Sequence, residues 1–79
     1  MTDQESVLWA VQAIRQYLQQ RPAAADTLEG IHHQWMDWPP DAVMSPQLTH
    51  QALLQLEALG ELMQQRRGRM LIWRRSQPS

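Results

Sequence analysis

The sequence contains no cysteine. Disulfides and thiolate chemistry are thereby excluded, and a reducing compartment fits better than a secreted one. No run of apolar residues reaches the roughly 18 needed to span a bilayer, and the opening MTDQES is polar and acidic, unlike a signal peptide. A cytoplasmic protein without membrane attachment is expected. Catalytic patterns are equally scarce: no phosphate-cradling glycine loop, Ser/His/Asp order or paired-carboxylate site stands out. At 79 residues the chain is also expected to lack room for a substrate cleft of several hundred Å³. His32, His33 and Asp37 offer two metal ligands on one helix face, too few for a structural zinc. They are expected to be surface side chains at a helix end. A non-enzyme with no cofactor and no metal follows.

What is present describes one small folded domain, residues 1–75, with residues 76–79 as a disordered tail. Apolar residues make up 43% and charged residues 19%, the balance of a chain that folds. The formal net charge of −1 hides a division. All eight acids lie in residues 1–61, with only Arg15 and Arg21 to oppose them. Residues 62–79 hold five arginines and no acid. Such asymmetry suggests an anionic partner for one end. A solvated hairpin that keeps a sheet edge from aggregating is the alternative.

Helix signals are clear in three places. Thr2 to Glu5 reads as a capping box, and Val7, Val11, Ile14 and Leu18 then recur at one-face spacing, predicting a helix over 3–20 that Pro22 ends. Asp26 or Thr27 caps a second helix over 27–36, with Leu28, Ile31 and Trp35 as its apolar stripe. Gly30 within it is expected to admit a neighbouring helix. The loop 37–44 follows, because two consecutive prolines cannot continue a helix. Ser45, Pro46 and Gly60 write the start and stop of a third helix over 45–59. Leu48, Thr49, Ala52, Leu53, Leu56 and Leu59 share one of its faces, with Gln47, His50, Gln51, Leu54 and Ala58 opposite.

After Gly60 the period changes to alternation, predicting a β-hairpin over 62–74. With Arg67–Gly68 as a two-residue turn, Leu62 would face Trp73, Gln64 would face Leu71, and Glu61 would pair with Arg74. Met63, Met70 and Ile72 would occupy the other face. The fold class is therefore α+β, three helices closed by a two- or three-stranded antiparallel sheet.

The Ser-capped helix ending ALLQLEALG, the strand, the basic tip RRGR and the returning LIW resemble the winged-helix branch of the helix-turn-helix proteins. The resemblance implies a small DNA-binding transcriptional regulator whose third helix enters the major groove. Its base-facing positions would be Gln47, His50 and Gln51, with Leu54 and Gln55 further along. Arg66, Arg67 and Arg69 around Gly68 would then hold the DNA backbone. Two features depart from that pattern: the third helix has no Lys or Arg, and its link to helix two is long. The alternative is a winged-helix protein-interaction module that docks an acidic or apolar protein partner through residues 62–75.

Trp35 and Trp73 fall at core positions, and Trp38, before its prolines, is expected to cover the core from the loop. Trp9 lies about 200° around the helix from Val7 at 100° per residue. That position predicts an exposed aromatic and a homodimer contact through helix one.

Overall fold

The chain is described here by a computed structural model covering residues 1–42 and 44–76. Thr2 opens the first helix, α1 (Asp3–Gln20). Its Oγ1 accepts from the Glu5 N–H, and Glu5 Oε1 accepts from the Thr2 N–H, each at 3.1 Å. This is the capping box that Thr2 and Glu5 spell. The bonds from Thr2, the backbone one foremost, hold the Glu5 carboxyl below its ordinary range. Val7, Ala10, Val11, Ile14 and Leu18 are buried along one stripe. The Arg21 N–H still reaches the Tyr17 carbonyl at 2.9 Å, and Pro22, with no N–H to offer, stops the helix.

A two-residue strand, β1 (Ala25–Asp26), leads into the second helix. Thr27 caps it: Oγ1 accepts from Gly30 N–H at 3.1 Å, while Asp26 Oδ1 accepts from Thr27 N–H at 2.8 Å. The single helix expected over 27–36 is one α-turn, α2 (Leu28–Gly30), that widens into a π-helical turn over Ile31–Trp35. A wider turn changes the angular step between side chains. Here Ile31, His32 and Trp35 all face inward and are buried.

Gly30 makes room for something other than a neighbouring helix. A Cβ there would collide with the Asp26 carboxylate, the same group that holds Thr27 N–H. Gly30→Ala is therefore expected to lower stability in the native chain. In an Asp26→Ala background the same change should raise it by about 0.5–1 kcal/mol, the usual helix preference of alanine. Urea unfolding of the two pairs checks this. The same sign in both backgrounds would remove Asp26 as the cause.

Ser45 Oγ accepts from the Gln47 N–H at 3.2 Å and starts α3 (Pro46–Ala58), with proline where its missing N–H costs nothing. Gly60, at φ +78°, takes the left-handed turn that ends it. The next N–H, from Glu61, then closes on the Leu56 carbonyl at 2.9 Å.

The hairpin strands β2 (Leu62–Arg67) and β3 (Met70–Arg75) join β1 in a three-stranded antiparallel sheet of order β1-β3-β2. Its turn is Gly68–Arg69, with Arg67 opposite Met70, one position later than the expected Arg67–Gly68. Gln64 consequently faces Trp73, and Leu62 faces Arg75. Gly68 has φ +62°, and among the described residues only glycines have positive φ. Placing glycine first in the turn spares an arginine that conformation. The slip is two residues in pairing, so every side chain stays on its expected face.

Trp73 and Leu62 join the buried cluster built from Ile14, Ile31, Leu53 and Leu56, which fastens the sheet to the helices. The arrangement is a mixed α+β, winged-helix-like fold. Among the described residues, no helix is long and apolar enough to cross a membrane. Ser76, expected in the tail, donates its N–H to the Glu61 carbonyl at 3.0 Å and closes the base of the hairpin. Residues 77–79 of that tail lie outside the described residues, as does Val43 of the loop.

Candidate nucleic-acid interface

Helix α3 turns Leu48, Thr49, Ala52, Leu53 and Leu56 inward, which leaves Gln47, His50, Gln51, Leu54 and Gln55 exposed on its outer side. The buried face decides this, since at 3.6 residues per turn the remaining positions have nowhere else to point. His50 meets the edge of Trp73 with ring centres 6.1 Å apart. Glu57, one further turn along from Leu54, accepts from Gln64 Nε2 at 3.2 Å. Leu54 lies between these two residues in the helical period and is 42% exposed. The stripe of α3 nearest the hairpin is thus imidazole, leucine and a carboxylate already engaged.

Alternation along the strands sorts the arginines. Leu62 and Trp73 are buried, so their face of the sheet is the one toward the helices. Gln64, Arg66, Leu71 and Arg75 share that face. Met63, Gln65, Arg67, Met70, Ile72 and Arg74 share the other. Arg66 therefore flanks α3, whereas Arg67 points to the opposite side of the wing. Arg69 sits in the turn beside Gly68. The three arginines expected as one grip divide: Arg66 is on the helix side of the sheet, Arg67 is on the other, and Arg69 lies in the turn, outside the strand alternation. All three are exposed, and among the described residues none makes an ion pair or a side-chain hydrogen bond.

Several side chains make contacts that local spacing does not foretell. Glu61 pairs with Arg15, not Arg74: Arg15 Nε and Nη2 donate to its two carboxylate oxygens at 2.8 and 2.6 Å. That bond lowers the Glu61 pKa from its ordinary value. Arg74 Nη1 donates instead to Gln65 Oε1 at 3.2 Å. Trp9 is half-buried and packs on Trp38, ring centres 4.8 Å apart. Its position off the Val7 stripe is met by the loop folding over α1, so the premise of a bare aromatic does not hold. Trp38 covers the core as expected and donates Nε1–H to the His32 carbonyl at 3.2 Å.

His32 is the other correction. Expected on the surface, it is 3% exposed, and its Nδ1 lies 2.6 Å from Thr49 Oγ1. Standing four residues after Leu28 and three before Trp35, it lies on the apolar side of its helix, and Thr49 on α3 supplies the partner that a buried imidazole needs. His33 remains exposed. Among the described residues, no group of three or more His, Cys, Asp or Glu side chains could hold a metal ion.

A groove of about 480 Å³ opens between the C-terminal half of α1, the end of α3 and the base of the hairpin. The expectation that so small a chain lacks such a cleft is not met, and the groove opens beside the Arg15–Glu61 pair that joins α1 to the base of the hairpin. Its lining includes Arg15, Leu18, Leu56, Glu61, Leu62 and Arg75. Glu61, the acid among them, is already held by Arg15. No family model matches the chain, and comparisons with curated proteins and with solved structures found no match either.

Proposed function

We propose that the protein binds duplex DNA in the manner of a winged-helix regulator, with α3 in the major groove and the wing tip on the backbone. The observation that carries this reading is an exposed, unpaired Arg66 on the sheet face toward the helices, with unpaired Arg69 at the wing tip beside it, next to an α3 outer face that offers glutamine and histidine. Gln47 and Gln51 can each present an amide to adenine, and His50 can donate to guanine or phosphate. The helix brings no positive charge of its own, so the long-range attraction must come from the wing.

The division of the arginines sharpens the expected salt dependence. Three phosphate contacts would give a log–log slope of about −2.7, and two give about −1.8. Arg66 and Arg69 supply the two. Replacing both by alanine is expected to remove most of the slope, while Arg67→Ala leaves most of it. Fluorescence anisotropy with mixed short duplexes across a salt series reads both values. Salt-insensitive wild-type binding, or a double variant that binds as well as wild type, ends this proposal.

One observation favours a second reading. Met63 and Met70 on the outer sheet face are 42% and 53% exposed, next to Arg67 and Arg74 on the same face. Exposed methionine flanked by arginine suits an acidic, apolar protein surface. Under that reading duplex DNA leaves the amide spectrum unmoved, and Met63→Gln with Met70→Gln abolishes partner capture.

A further inference from the structure

The groove beside the hairpin base has a composition that selects a ligand class. Only the edges of three core leucines reach its floor, Leu18, Leu56 and Leu62 at 7%, 1% and 3% exposure, and among the described residues no aromatic ring lines it. A nucleobase or other flat aromatic would find no ring to stack on, only the guanidinium planes of Arg15 and Arg75. Its rim is charged. Arg15 uses Nε and Nη2 on Glu61, which leaves Nη1 with free N–H groups. Arg75 is exposed and, among the described residues, makes no ion pair or side-chain hydrogen bond. Two arginines against one glutamate leave the groove a single unbalanced positive charge. An ammonium group gains little there, since the Glu61 carboxylate is already neutralised by a two-bond pair. The volume of about 480 Å³ falls within the roughly 300–1,000 Å³ typical of small-ligand sites.

We infer that this groove binds a small aliphatic monocarboxylate, with its chain along Leu18, Leu56 and Leu62 and its carboxylate between Arg75 and the free edge of Arg15. Guanidinium groups hold carboxylates by charge-assisted, often paired hydrogen bonds. The ligand would touch α1, α3 and both ends of the hairpin at once. The inference is independent of DNA binding, because none of the lining residues belongs to the α3 outer face or the wing tip.

The probe is sodium octanoate, followed by methyl and amide chemical shifts of the full chain, with octylammonium and inorganic phosphate as parallel titrants. Saturable shifts centred on Leu18, Leu56 and Leu62 are expected with octanoate alone. Arg75→Gln should weaken octanoate at least fivefold, and Arg75→Lys should restore part of the loss. Glu61→Gln frees Arg15 and raises the local charge, so octanoate should bind severalfold more tightly. A merely structural role for Glu61 would give the opposite sign. The inference is overturned if octanoate gives no saturable shift, if octylammonium or phosphate matches it, or if Arg75→Gln leaves its affinity unchanged. Should Glu61→Gln fail to fold, the Arg75 pair decides alone.

Discussion

Trp73→Ala is expected to destabilise the domain by about 3–5 kcal/mol, the usual cost of deleting a buried tryptophan. Trp73 is 3% exposed and stands at the centre of the sheet, opposite Asp26 on β1 and Gln64 on β2. It is the large side chain through which β3 enters the helical core, and it also meets His50 of α3. A domain of this length has roughly 4–12 kcal/mol of total stability, so the variant should be partly unfolded at room temperature. Urea melts followed by circular dichroism measure the loss. The wing arginines provide the contrast, because exposed tip positions should each change stability by less than about 0.5 kcal/mol. A Trp73→Ala loss below about 1 kcal/mol would mean that the hairpin is not anchored through this residue. With the large loss, a fall in DNA binding in Trp73→Ala reports wing position and not a direct contact, because Trp73 is buried.

Stability is also expected to fall as pH drops below about 6.5, with His32 as the principal cause. Burial lowers the His32 pKa from its ordinary value near 6.5, and the neighbouring His33 lowers it further. The unfolded chain therefore takes up a proton at a higher pH than the folded one. Its stabilising contribution is complete above the unfolded pKa and is lost as pH falls through 6.5 towards the lowered folded value. Urea midpoints at pH 7.5 and 5.5 should differ for the wild type, and much less for His32→Gln. Thr49→Val tests the partner directly. It keeps the shape but strips the hydroxyl from a buried imidazole, which costs about 1–3 kcal/mol when the group is left unsatisfied. Equal pH dependence in wild type and His32→Gln would assign the effect elsewhere. Glu61 adds a loss at lower pH only, because its pKa is held below the ordinary value near 4.5.

Local rules made three helices and a hairpin legible in the chain. Thr2 with Glu5, Thr27, and Ser45 with Pro46 each satisfy backbone donors within three residues, so their effect needs no distant partner. The inward stripes of α1 and α3 follow from the helical period in the same way, except that Leu59, expected on the inner face of α3, is its C-cap and is 64% exposed. The faces of the hairpin were readable too, because alternation survives a two-residue slip.

Other features depend on what arrives from far along the chain. The hairpin turn was misplaced because composition alone does not say which residue must take positive φ. Arg15 and Glu61 stand 46 residues apart, and no local spacing distinguishes that pair from Glu61 with Arg74. Trp9 looked bare on a helical wheel until Trp38 closed over it. His32 is polar, yet it stands on the Leu28, Ile31 and Trp35 side of its helix; only Thr49, 17 residues later, supplies the hydrogen bond that lets it be buried there. The groove exists only because α1, α3 and the hairpin base meet without filling their junction. Sequence by itself determined α1, α3 and the hairpin and most of their buried faces, since those depend on short-range hydrogen bonding and periodic burial. Tertiary structure alone decided which charges pair, which polar groups are buried and where space remains. Each of these depends on distances between segments that the chain order does not set.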